Sequence, residues 1–337
     1  MKNKNSVVLI SSITAICVLI VCNKSCANTA KEGIYLCINV IIPSLLPFIY
    51  LSSILTSFAL TTPIKLMEPL CKLFRIPEHC GHILIMSLLG GYPMGATAIE
   101  QSCAAGQLSR SDAHRMLAYC NNAGPSFIFG MIGSLFPNLT APLLLWLIHI
   151  ISAWCTGQLI QHQHTSKQPL AEHKAPMKKA SLYYSMRVMG SICCWVILFK
   201  ILINIVITPF AQYLPPAIYA FSCGVLELSN GCLALHTVES TAVRFVLASA
   251  LLALGGLCVC MQTACVSGSL GLKTYFLGKV MQCFLSILLA IPIAAVLYSP
   301  VWDVGLIGTV IFALLCGSVL IAIFLRKSCS ILIKDRL

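Results

Sequence analysis

Gly90-Gly91-Tyr92-Pro93-Met94-Gly95 interrupts an otherwise apolar stretch at residues 82–103, and Glu227-Leu228-Ser229-Asn230-Gly231 does the same at residues 216–235. Neither stretch reads as a lipid-facing helix crossing in one piece. Backbone groups freed by Gly and Pro have no water to bond in hydrocarbon, so such a break is tolerated only where protein or a water-filled cavity covers it. The chain around these two breaks is 58% hydrophobic and only 9% charged, with a mean hydropathy of +0.90. Soluble domains are about 45–50% apolar and about 25% charged. The excess apolar surface has to be buried in lipid.

Uninterrupted apolar runs of about 20 residues are long enough to cross a bilayer. They are found at 4–22, 34–60, 119–137, 139–160, 190–211, 245–267, 276–299 and 303–326. The distribution of basic residues decides how the two broken stretches fit between them. If both turn back, 18 Lys and Arg fall on the cytoplasmic side, Lys273 and Lys279 among them, and three (Lys24, Lys31 and Arg244) fall outside. If both cross once, the split is 11 to 10. Because Lys and Arg are biased to the cytoplasm, the first arrangement wins. The expected fold is therefore an all-α polytopic membrane protein of about eight transmembrane helices plus two re-entrant hairpins, with both termini cytoplasmic. Each half runs span, hairpin, span, span in opposite orientation, the inverted-repeat order of secondary transporters. The expected units are an N-terminal signal-anchor helix (1–30), a first repeat (31–160), a cytoplasmic linker (161–189), a second repeat (190–300), and a C-terminal helix with a basic tail (301–337).

The formal net charge of +12 does not call for nucleic acid, because the basic residues lie between apolar runs, where they set topology and meet anionic lipid. The 19 Cys lie mostly inside apolar runs and form no CxxC pair, so they read as small hydrophobes. Lys2 and Lys4 before the run Val7–Cys22, with only a weak small-residue site at Ala27-Asn28-Thr29, read as a retained anchor. GxSxG, HExxH, GxxxxGK[ST] and GxGxxG are all absent, so neither an enzyme nor a bound cofactor is expected. His79 and His82 beside Glu78 have no third metal ligand in reach of the pattern.

Ionisable groups inside membrane segments cost about 2.5–3.5 kcal/mol each on insertion scales and therefore mark function. Glu227 lies in the second break and Glu100 follows the first. Lys200 sits in the middle of an apolar run, too central to snorkel, with Asn204 one turn later on the same face; Lys200 is expected to pair with a hairpin carboxylate. Asn121-Asn122-Ala123-Gly124-Pro125-Ser126 opens another run, where Pro125 suits a helix N-terminal turn and the Asn amides suit a hydroxylated or anionic ligand. Its counterpart in the second half is Gly255-Gly256, followed by Gln262-Thr263.

Five of these stretches, in this order, carry a resemblance: Ile42-Pro43-Ser44-Leu45-Leu46-Pro47-Phe48, Leu73-Phe74-Arg75-Ile76-Pro77, Gly91-Tyr92-Pro93-Met94-Gly95-Ala96, Asn121 through Ile128, and Gly224 through Gly231. Over residues 30–300 the chain resembles the YlbJ-like sporulation integral membrane proteins. These carry the nucleoside-recognition Gate domain, which is similar to segments of concentrative nucleoside transporters and of the ferrous-iron transporter FeoB. The resemblance implies a spore-forming bacterium, a cell-membrane location, the inverted hairpin architecture and a role in making heat-resistant spores. The second-half pattern departs mildly from the family's, with Leu228-Ser229 after Glu227.

Two functions compete. One is a secondary carrier of a small polar solute, possibly nucleoside-like by the resemblance, held by Tyr92, Gly95, Glu100, Asn121, Asn122, Ser126, Glu227, Ser229, Asn230 and Gln262. The other is a non-transporting scaffold or gate acting through other sporulation membrane proteins. The polar residues gathered at both breaks favour the first. Impermeant cysteine labelling or reporter fusions in the 161–189 linker should report a cytoplasmic segment; an extracellular signal would overturn the charge-based topology.

Overall fold

The computed structural model describes residues 16–59, 65–160, 182–268 and 270–298, with positions 9, 13 and 14. The start of the expected signal-anchor segment, residues 161–181 of the expected linker (161–189) and the C-terminal helix and tail at 301–337 lie outside the described residues, while 182–189, expected as linker, open a long helix. Among the described residues every regular element is helical. In chain order these are α1 (Asn23–Leu36), which continues through a wide π turn at Cys37–Ile41 into α2 (Ile42–Ala59), then α3 (Glu68–Phe74), α4 (Gly81–Ile85), α5 (Met94–Ala104), α6 (Arg110–Leu117), α7 (Pro125–Gly130) and α8 (Thr140–Leu159). The second half holds α9 (Leu182–Val206), α10 (Pro216–Leu226), α11 (Leu228–Ala234), α12 (Thr241–Leu254), α13 (Gly256–Val266) and α14 (Lys273–Leu297).

Five stretches are long and apolar enough to cross a bilayer: Asn23–Leu51, Thr140–Leu159, Leu182–Val206, Thr241–Val266 and Lys273–Leu297. The chain is thus a membrane protein, with fewer full-length crossings among the described residues than the eight expected. Three differences from the sequence reading have local causes. The first long helix starts at Asn23, not at 34, so Lys24 and Lys31 are helical and not in a loop. The run at 119–137 does not cross as one helix. Asn121–Gly124 are non-helical because their polar groups are bonded to other elements, and Pro125 starts only the short α7 and a 3₁₀ turn at Ile132–Leu135. The run at 245–267 is broken in the middle, where Gly255 and Gly256 take φ of 74° and 80°, a left-handed geometry that suits glycine alone.

Both broken stretches fold as helix, break, helix. In the first, α4 and a π turn at Met86–Gly90 lead to Gly91–Pro93, and α5 starts at Met94. In the second, α10 ends at Leu226, Glu227 is extended, and α11 starts at once. The arms of the second are packed so closely that a Cβ on Gly231 would collide with the Cα of Gly224. Two small residues facing each other are what let helix backbones approach this far.

The long helices are inside-out relative to those of soluble proteins. On α14 the buried face carries Tyr275, Lys279, Gln282 and Ser286, while Phe276, Leu277, Phe284, Leu288 and Ile291 are exposed. An apolar exterior over a partly polar seam is the pattern of a helix that faces lipid and packs by small and polar contacts. One such contact joins α12 to α14, where the Ser249 and Ser286 hydroxyls lie 2.5 Å apart.

The fold places Gly231→Ala among the costly substitutions. Overpacking should lower the thermal midpoint of purified protein by an amount corresponding to about 1–3 kcal/mol. Gly130→Ala and Gly190→Ala, where an added Cβ meets nothing within 4 Å, should leave it unchanged or slightly raised. Equal behaviour of the three would contradict the close packing of α11 on α10.

Candidate functional site

One cavity of about 400 Å³ touches both breaks. Gly91 and Tyr92 of the first break, Glu227 and Ser229 of the second, Ser126 at the start of α7 and Gln262 of α13 all line it. The rest of the wall is largely apolar, including Val40, Leu45, Phe127, Ile192 and Val259. The volume is at the small end of the range for small-molecule sites, about 300–1,000 Å³.

Glu227 owes its position to helix capping. The first N–H groups of a helix lack partners inside it, and a carboxylate just before the first turn accepts them. Here Glu227 Oε1 accepts from the Ser229 N–H at 3.0 Å, and Oε2 accepts from the Asn230 N–H and from Asn230 Nδ2, both at 2.7 Å. A carboxylate has about four lone-pair sites. The Ser229 side chain adds a fourth bond, so this carboxylate, only 2% exposed, lines the cavity with its acceptor sites committed to its own helix. Asn230 turns its Oδ1 to Lys200 Nζ at 3.1 Å, and Lys200 forms its ion pair with Glu32 of α1 at 3.4 Å. Lys200 therefore reaches the second break through the Asn230 amide, and its partner carboxylate comes from α1 and not from that break. Asn204 bonds Ser25 Oγ at 2.9 Å on the same helix pair.

Tyr92 seals the opposite wall. The Gly255–Gly256 break frees the Leu252 carbonyl, and the Tyr92 hydroxyl donates to it at 3.1 Å. The two Asn lie behind the wall, fully buried. Asn121 Nδ2 donates to Thr263 Oγ1 at 2.9 Å while its Oδ1 accepts from the Ala96 N–H at 3.3 Å. Asn122 Nδ2 donates to Ser87 Oγ and to the Tyr119 carbonyl. Next to them the Ala123 N–H donates to His149 Nε2 at 3.1 Å. Ser126 differs from these neighbours: its Oγ is buried and has no hydrogen-bond partner.

The residues singled out in the sequence thus fall into three groups. Tyr92, Ser126, Glu227, Ser229 and Gln262 line the cavity. Gly95, Asn121, Asn122 and Asn230 hold it in shape from behind, Gly95 because a Cβ there would collide with the Cys120 carbonyl oxygen. Glu100, on the far end of α5 beside Gly268, and Asn204 do not line it. His79 and His82 bond the Gln107 carbonyl and Ser102 Oγ. The sequence reading overlooked Asn39 and Ser44, polar residues within the first long helix that line the cavity, and Lys279 with Gln282. Lys279 is not in a cytoplasmic loop, as the charge count had it. It lies inside α14 and is 1% exposed. Its signal was present as a polar residue every three or four positions, Lys279, Gln282 and Ser286, along an apolar run.

With this geometry in hand, the chain is similar to the sporulation integral membrane protein YlbJ of Bacillus subtilis (strain 168). Identity is 32% over 133 residues, 39% of this chain, and the match spans about a third of that relative's length. No family model matches the chain, and no solved structure does.

The contacts rank the polar groups by their cost of removal. Glu227→Ala leaves the Ser229 and Asn230 N–H groups uncapped and should lower the thermal midpoint by an amount corresponding to about 0.5–2 kcal/mol. Ser126→Ala removes a hydroxyl without a partner and should leave stability unchanged or improved. The reverse order in thermal unfolding would contradict the capping role.

Proposed function

We propose that the chain is a sporulation-associated membrane protein that binds a small polar solute in the cavity between the two breaks and moves it across the bilayer as a secondary carrier. The observation that carries this reading is a single cavity bounded by two interrupted segments, one from each half of the chain, with Glu227 and Ser229 on one side and Tyr92 on the other, and with Asn39, Ser44, Ser126 and Gln262 also in its lining. Substrate sites formed by discontinuous helices at a repeat interface are the design of many secondary transporters. In this reading the two broken segments are re-entrant hairpins related by an inverted repeat. The sporulation role is drawn from similarity to YlbJ, and a nucleoside-like solute is drawn from the Gate-domain resemblance.

The site's chemistry narrows the solute. The acceptors of Glu227 are committed to α11, and the other polar groups lining the cavity (Asn39, Ser44 and Gln262) are amides and hydroxyls that suit a hydroxylated solute. Ser126 can donate or accept. The apolar walls favour a flat or compact apolar body between those ends. A scaffold acting only through protein partners needs no such cavity and no unpartnered hydroxyl beside it.

Thermal unfolding of purified protein against a panel of nucleosides and other hydroxylated solutes tests the reading. A ligand of the native state at about 100 times its Kd adds about 2.7 kcal/mol of stability. At least one panel member should raise the midpoint, and Ser126→Ala should weaken its binding by about 2- to 12-fold, the loss of one hydrogen bond of about 0.5–1.5 kcal/mol. A broad panel with no stabiliser, together with a copurifying membrane partner, would favour the scaffold.

A further inference from the structure

Lys279 has no part in the reading above, although it is the ammonium most deeply enclosed among the described residues. Its Nζ has three oxygen partners: Gln282 Oε1 at 2.6 Å, the Tyr92 hydroxyl at 3.1 Å and Asn122 Oδ1 at 3.3 Å. The neighbouring bonds fix the direction of each. Tyr92 gives its proton to the Leu252 carbonyl, so its oxygen accepts. The Asn122 amide nitrogen is committed to Ser87 and Tyr119, which leaves its Oδ1 facing Lys279. The Gln282 amide nitrogen donates to Asn122 Oδ1 and to the His149 carbonyl, which leaves its Oε1. An ammonium has three N–H donors and no acceptor, and here each donor has one oxygen. The ring of Tyr92 at 5.1 Å and that of Tyr275 at 6.0 Å complete the enclosure with their electron-rich faces.

No carboxylate takes part. Ion pairs form elsewhere, joining Lys72 to Glu68 and Glu78, Arg115 to Asp112 and Lys200 to Glu32. A shell of neutral oxygens and ring faces around a single positive charge is the environment that holds a small monovalent cation. Its three oxygens come from three places: the first break, the non-helical Asn121–Gly124 stretch, and the next turn of α14. The positive charge therefore fastens the cavity wall at Tyr92 to a long helix.

We propose that this shell is a monovalent-cation site whose occupant is the chain's own Lys279 ammonium, so that the wall at Tyr92 holds its shape without Na⁺ or K⁺. Truncation of Lys279 empties the shell and creates a site for Na⁺, K⁺ or a small alkylammonium. The proposal needs no solute and is tested separately from the carrier reading.

The test is thermal unfolding of purified wild type, Lys279→Ala and Lys279→Met in sodium, potassium, methylammonium and choline chlorides at constant ionic strength. Wild type should have one midpoint in all four salts. Lys279→Ala should have a lower midpoint in choline that rises saturably with methylammonium or an alkali cation, as expected for a ligand that binds the native state. Lys279→Met, whose side chain fills the space without charge, should be lowered and unresponsive. The proposal is overturned by a saturable rise of wild type with Na⁺ or K⁺ over choline, by a folded Lys279→Ala that no small cation stabilises, or by Lys279→Met as stable as wild type. Should neither variant fold, the wild-type comparison decides alone.

Discussion

A helix broken inside a bilayer must find partners for the backbone groups it exposes, and this requirement organises the structure. Glu227 takes the N–H groups that open α11. The Tyr92 hydroxyl takes the Leu252 carbonyl freed at Gly255–Gly256. The Asn121 carboxamide takes the Ala96 N–H of α5, and His149 takes the Ala123 N–H. Except for Glu227, each partner comes from a different segment from the break it serves. The breaks therefore have to converge, and the cavity is the space that remains between them where they do.

The same requirement explains the buried polar residues. Each costs free energy to bring out of water and is tolerated only with its bonds made. The Asn122, Gln282 and Lys279 network makes them in a closed set, and Ser249 and Ser286 pair across α12 and α14. Apolar side chains on the outer faces then meet lipid. Arg115 and Tyr119 do comparable work at the edge of the bundle, donating to the Arg75 and Phe74 carbonyls where α3 ends with Arg75 in a left-handed conformation. The Ser126 hydroxyl is one of a few exceptions, with Trp146 Nε1 another, and Ser126 belongs to the cavity wall.

Interruptions were legible in the sequence because Gly and Pro within apolar runs leave few other readings. Gly91–Pro93 and Glu227 were located correctly, and so were the helical class and the polar stretch before Pro125. Helix length was less legible. Hydropathy averages over 119–137 without registering that Asn121 and Asn122 are bonded elsewhere, and over 245–267 without registering the double glycine. Lys279 was misplaced for a related reason. Six residues after Lys273, near the start of an apolar run, a basic residue looks interfacial, and only the packing of Tyr92 and Asn122 around it shows otherwise. Gly95 stood out for being glycine in a break, yet its role is close contact with the Cys120 carbonyl.

The account's central claim is that a solvent-reachable cavity lies between the two breaks. The most direct measurement is the reaction rate of a cysteine placed at Ser126 with a small hydrophilic thiol reagent, after replacement of the exposed Cys17, Cys194 and Cys265. A cysteine at the outward-facing Leu288 of α14 serves as the lipid reference. The account predicts that the Ser126 cysteine is modified from water well above the rate at Leu288. A Ser126 cysteine as inert as the lipid-facing one would contradict it.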